Sequence, residues 1–152
     1  IFATPPSHPF FFPMSLPQFP SVAVILINWN NYEDSKKCLI SLQNCTYPNF
    51  LPILVDNHSQ DGSGRRLESE FGGFAHFLFT EANLGFSGGN NVGFRYALEK
   101  DFEYVMELNN DTEVEPDFLD KLVYSIHGKP EWGGAQPLIF YNQEHGNPQM
   151  LI

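Results

Sequence analysis

"VAVILINWNNYEDSKKCLISLQN", residues 22–44, decides how the chain folds. Its first six residues are apolar without alternation, as in a strand covered on both faces, and Asn28 ends the run. The polar loop Asn28-Trp29-Asn30-Asn31 follows at once. Residues 33–44 then read as a helix, with Cys38, Leu39 and Leu42 on one side. A buried strand that feeds a helix across a short loop is the repeating unit of a parallel sheet, because parallel neighbours need a crossover.

The unit recurs along the chain. "PILVD" (52–56) reads as a second strand and "SGRRLESEF" (63–71) as a helix. "AHFLFT" (75–80) is a third strand. "SGGNNVGFRYALEK" (87–100) is helical in its second half, with its glycines at the start. "EYVMELN" (103–109) is a fourth strand. "PDFLDKLVYSI" (116–126) is a helix with Pro116 in its first position, Asp117 complementing the dipole, and a stripe of Phe118, Leu119, Leu122, Val123 and Ile126. "GAQPLIFY" (134–141) is a fifth strand, placed at an edge or bulge by Pro137. The expected fold is α/β: a mostly parallel sheet with right-handed crossovers and helices on both faces.

Bulk properties narrow the function. The length of 152 residues and a hydrophobic content of 42% allow one domain with a real core. A net charge of −10 argues against a nucleic-acid backbone as partner and disfavours docking of this surface on an anionic membrane. Cys38 and Cys45 have no CxxC partner, which argues for free thiols rather than zinc. No apolar stretch reaches transmembrane length. Residues 1–20 hold six of the twelve prolines and read as an unstructured lead, with Met14 a candidate start and residues 1–13 upstream of it. Residues 21–152 form the folded part.

In open α/β sheets ligands bind beyond the carboxyl ends of the strands. All four polar clusters fall there: "NWNN" (28–31), "DNHSQDGS" (56–63), "TEANLGFSGGNN" (80–91) and "NNDT" (109–112). Each alone is an ordinary turn or helix cap. Four on one edge, against plain loops such as "TYPNF" and "EKDF" on the other, argue for a site. Asp111 is a hard oxygen ligand for Mg²⁺ or Mn²⁺ and Asn109 can add a carbonyl oxygen. A diphosphate and waters would complete such a shell. Asp56 can accept from a base N–H or a ribose hydroxyl. Gly85, Gly88 and Gly89 allow close backbone approach. There is no P-loop, no dinucleotide fingerprint and no nucleophile–base spacing. His58 reads as a solvated loop histidine.

From Val22 to about Tyr141 the chain resembles family 2 glycosyltransferases of the GT-A fold, in the rhamnosyltransferase-type branch that builds cell-surface polysaccharides. The resemblance lies in "VILINWNNYEDSKKCLISL" (24–42), "LVDNHSQDGS" (54–63), "EANLGFSGGNN" (81–91) and "ELNNDTEVEPDFL" (107–119). It implies a Rossmann-like sheet that binds a UDP- or dTDP-sugar with a divalent metal, Mg²⁺ or Mn²⁺. Asn28, Trp29 and Asn30 would lie along the nucleoside, and Asp56 would bind uracil or thymine. Asn83, Gly85 and Asn90 would line the sugar-diphosphate path. Asn109, Asn110 and Asp111 would form the substrate and metal turn, with Asp111 and Asn109 as metal ligands.

Two positions depart from the family pattern. Asn109 replaces an Asp, which implies a weaker or water-mediated metal contact, and Asn90 replaces an Arg. The family's general base is an Asp well downstream of the metal turn. The resemblance therefore implies a base beyond Ile152 and a donor-binding half without its acceptor half. For the complete enzyme it implies inverting transfer to a saccharide or lipid-linked acceptor, in the cytoplasm or at the inner membrane face. Two other readings stand beside it: a non-catalytic nucleotide-sugar-binding module, and a plain α/β domain acting through protein contacts.

Overall fold

The computed structural model describes residues 19–140. The Pro-rich lead through residue 18 and residues 141–152 lie outside them. Eight elements alternate: β1 Val22–Asn28, α1 Tyr32–Gln43, β2 Phe50–Asp56, α2 Ser63–Phe71, β3 His76–Phe79, α3 Gly85–Glu99, β4 Tyr104–Glu107 and α4 Phe118–Ile126. The four strands form one sheet in the order β3-β2-β1-β4. Every pairing is parallel. The register Asn28↔Asp56 and Asp56↔Phe79 brings three strand ends level on one edge.

Side-chain alternation in β1 sorts the two layers. Val22, Val24 and Leu26 pack with Leu39 and Leu42 of α1, Leu67 and Phe71 of α2, and Leu119 and Val123 of α4. Ala23 and Ile25 face the other way, with Ile53 of β2 and Ala97 of α3. Helices thus cover both faces, as the unalternating apolar strand required.

α3 differs most from its sequence reading. Its glycines are not a prelude; the helix starts at Gly85 and runs through them. The reason is contact with the sheet. A Cβ at Gly93 would lie 2.6 Å from Ile25 Cγ2, and one at Gly89 would lie 3.2 Å from Ile27 Cδ1. The glycines let α3 sit close on β1, and that packing outweighs their low helix propensity of about 1 kcal/mol each.

Smaller differences have local causes. α4 begins at Phe118, and Pro116 precedes the helix, its carbonyl accepting from Thr46 N at 2.9 Å. β4 ends at Glu107, although Leu108 N still donates to Ile25 O at 2.9 Å. The expected fifth strand is absent as far as residue 139, with an isolated bridge at Phe140, while Tyr141 lies outside the described residues. Pro137 and the glycine pair 133–134 in this stretch oppose regular pairing. Both cysteines are free, and burial pushes the Cys38 thiol up to about 12, far from a thiolate nucleophile.

Candidate functional site

The carboxyl edge of the sheet carries a cavity of about 390 Å³. Every loop that the sequence singled out contributes to it. Ile27, Trp29 and Asn31 come from the end of β1, and Asn57 follows β2. Asn83, Gly85 and Phe86 come from the β3–α3 connection, and Leu108, Asn109 and Asn110 follow β4. No charged side chain is among these lining residues.

Asn28 and Asp56 share this edge but sit underneath it. Asn28 continues the parity of Val22, Val24 and Leu26, so its side chain enters the layer between sheet and helices, where it is 0% exposed. Its amide hydrogens serve Asp56 Oδ2 (2.8 Å), Ser63 Oγ (2.8 Å) and Ser59 Oγ (3.1 Å). Its Oδ1 accepts from Ser35 Oγ at 2.8 Å, and Ser35 Oγ accepts from Asn110 Nδ2 at 2.7 Å. A buried polar relay therefore runs from the β4 turn to the β2 loop through Asn28. Such a network is rigid when its members are satisfied.

Asp56 is 4% exposed. Its Oδ1 accepts from Ser59 N at 3.0 Å, and α2 closes over it: a Cβ at Gly64 would lie 2.2 Å from Oδ2. The carboxylate expected to meet the base instead holds the 56–63 loop. Asn30 has a comparable task. In the left-handed region at φ 51°, it donates its N–H to Ser59 Oγ (2.9 Å), and its Oδ1 accepts from Gln60 N (2.7 Å). The first and second loops are thus zipped together, and of the three residues expected along a nucleoside only Trp29, 55% exposed, lines the cavity.

The third loop is held by Asn57, which sequence reading did not single out. Asn57 continues the parity of Ile53 and Val55 towards α3. Its Nδ2 donates to Asn83 Oδ1 (3.0 Å) and Gly85 O (3.1 Å), and its Oδ1 accepts from Leu84 N (2.9 Å). Gly85, at φ 70°, occupies a conformation suited to glycine, and its N–H donates to Asn83 Oδ1 at 2.8 Å. Asn90 is buried under this loop. Its Nδ2 donates to Phe86 O (3.3 Å) and Glu107 Oε1 (3.0 Å), and its Oδ1 has no partner among the described residues.

Asn109 to Thr112 form a turn closed by Thr112 N donating to Asn109 O at 3.1 Å. Asp111 is exposed on this turn, next to the cavity lining rather than in it. Among the described residues no group of three or more His, Cys, Asp or Glu side chains is arranged to hold a metal. One exposed carboxylate beside the Asn109 carboxamide, unpartnered among the described residues, fits a cation only if a ligand brings most of the oxygens. That is the ordinary way Mg²⁺ is held with phosphates.

Residues 23–150 match Glycosyl transferase family 2. The chain belongs to that family. It is 29% identical over 119 residues to a low-salt glycan biosynthesis hexosyltransferase, Agl10, of Haloferax volcanii, a match that covers 78% of this chain and 36% of the relative. An uncharacterized protein of Mycobacterium tuberculosis is 44% identical over 43 residues, 28% of this chain and 16% of that protein. Among solved structures, the mannosyltransferase PcManGT of Pyrobaculum calidifontis, in complex with GDP-Man and Mn²⁺, superposes with a TM-score of 0.65 at 22% identity, covering 74% of this chain and 34% of that one. TarS of S. aureus in complex with UDP-GlcNAc superposes with a TM-score of 0.61 at 22% identity, covering 70% and 31%. The fold of this family 2 chain is therefore that of GT-A glycosyltransferases, and the chain spans about a third of the length of the hexosyltransferase and of the two solved structures. No helix among the described residues is long and apolar enough to cross a membrane.

Proposed function

We propose that the cavity binds a nucleotide-diphosphate sugar, with uracil or thymine as base, as the donor of an inverting glycosyl transfer to a saccharide or lipid-linked acceptor at the cytoplasmic face of a membrane. The observation that carries this reading is the four-loop cavity at the carboxyl edge of a family 2 chain, joined by the Asn110–Ser35–Asn28–Asp56 relay. Trp29 offers a flat face to the base. Asp56 and Asn30 act through the 56–63 loop that they brace. Asn83, Gly85, Asn109 and Asn110 surround the sugar-diphosphate, with Asn90 behind them. Asp111 and Asn109 would hold Mg²⁺ or Mn²⁺ against the diphosphate. The cation would supply positive charge where the leaving group becomes more negative, which the carboxamides cannot.

In an inverting transfer the acceptor oxygen bonds to the anomeric carbon from the face opposite the diphosphate. The bond to the diphosphate breaks with its electron pair, and the hydroxyl proton goes to a base. Among the described residues the cavity lining holds no carboxylate, and the base is assigned outside them. The same observation favours a second reading, a non-catalytic nucleotide-sugar-binding module. Slow donor hydrolysis by this chain would oppose the second reading. Transfer to an acceptor is not expected from these residues alone.

Calorimetric titration of UDP and dTDP, with Mn²⁺ and with EDTA, tests the proposal. One site is expected with at least one nucleotide, tighter by about tenfold or more with Mn²⁺, a ratio typical of coupled sites. Absence of binding to either nucleotide in Mn²⁺ would refute it.

A further inference from the structure

We infer, on the reading of the cavity as a donor site, that it selects a neutral hexose or deoxyhexose and that Phe86 is the platform for the apolar face of that sugar. The first argument is charge. Among the described residues the lining is carboxamide, backbone and hydrocarbon, with no Asp, Glu, Lys, Arg or His. Apart from Asp111 at the rim and a cation engaged by the diphosphate, a uronate carboxylate or a free ammonium placed here would lose its water without gaining a counter-charge from the lining, which is costly in a partly enclosed site.

The second argument is the hydrogen bonding left over. The Asn57 carboxamide is consumed in holding the third loop. Among the described residues, the Asn83 NH₂, both ends of the Asn109 carboxamide and the Asn110 Oδ1 have no partner. Neutral donors and acceptors side by side match hydroxyl groups, which do both.

The third argument is the mounting of Phe86. Phe86 is 56% exposed at the first turn of its helix, but its backbone is held on both sides. Asn57 Nδ2 grips the Gly85 carbonyl before it, and Asn90 Nδ2 grips its own carbonyl. Both asparagines are buried, at 2% and 3% exposure. Two enclosed side chains thus fix the backbone that carries an exposed aromatic ring into a carboxamide cavity, a combination suited to the C–H face of a pyranose.

The test is calorimetry in Mn²⁺ on the chain and on Phe86→Ala, with UDP, dTDP, UDP-glucose, UDP-galactose, UDP-N-acetylglucosamine, dTDP-rhamnose and UDP-glucuronate. The tightest neutral donor should bind about tenfold or more above UDP-glucuronate. Phe86→Ala should weaken that neutral donor by about tenfold while UDP and dTDP change less than about twofold and Tm is unchanged. UDP-glucuronate equal to the tightest neutral donor, or an equal loss for nucleotide and nucleotide sugar in Phe86→Ala, overturns the inference. If wild-type chain binds neither UDP nor dTDP, the donor-site reading itself fails and takes the inference with it.

Discussion

Replacing Asn28 with leucine is expected to lower the unfolding free energy by about 3 kcal/mol, the sum of several buried polar groups each losing a bond at about 1–3 kcal/mol less what the leucine returns. Leucine matches asparagine in breadth and would suit a neighbourhood of Leu26 and Leu54, so a simple burial argument predicts a gain. Polar satisfaction predicts the opposite. Asp56 Oδ2, Ser63 Oγ and Ser35 Oγ all turn to Asn28 in a space closed to water. Each loses that bond while the carboxylate stays enclosed by α2, although Asp56 keeps Ser59 N and Ser35 keeps Asn110. Unfilled buried groups cost about 1–3 kcal/mol each, more than one leucine returns. Urea denaturation followed by circular dichroism gives the difference. A loss under about 0.5 kcal/mol, the scatter of neutral surface changes, would mean that the relay does not hold the site together.

The second large effect is on binding rather than folding. Asp111 is exposed on its turn and has no partner among the described residues, so Asp111→Asn should leave stability within about 0.5 kcal/mol. It is the one carboxylate of the turn 109–112, and the diphosphate must bring the remaining charge. Metal and nucleotide should therefore tighten each other reciprocally, with a coupling of about 1–3 kcal/mol. Asp111→Asn should abolish that coupling and leave the affinity measured in EDTA unchanged. Asn109→Asp, which adds a second charge, should enlarge it. Paired titrations of UDP against Mn²⁺ concentration read the coupling directly, and a coupling that survives Asp111→Asn would remove this residue from any metal role.

The fold was legible because its signals are periodic. An unalternating apolar strand, a short polar loop and an amphipathic helix recur, and that order implies a parallel sheet covered on both sides. The edge of the site was legible for the same reason. Which polar residue faces a ligand was less so, although parity held part of the answer. Asn28 stands two residues beyond Leu26, and so shares the buried side of β1. Asn57 stands one residue beyond Asp56, on the side of α3. Asn90 faces inward from a helix whose glycines looked like a loop. Those glycines misled because propensity is local, while the closeness of Gly93 to Ile25 belongs to the tertiary packing. Phe86 gave no sequence signal: an aromatic at a helix start is usually core, and only its exposure marks it out.

A nucleotide diphosphate bound as proposed would sit in the cavity lined by Trp29. The chain has two tryptophans, and Trp132 belongs to the far groove along β4 and α4. In Trp132→Phe the emission comes from Trp29 alone. UDP or dTDP in Mn²⁺ should quench or shift it saturably, at the same midpoint that calorimetry gives, and EDTA should move that midpoint to higher nucleotide. Trp29 emission that stays constant while calorimetry shows the nucleotide bound would place the ligand elsewhere and contradict the account.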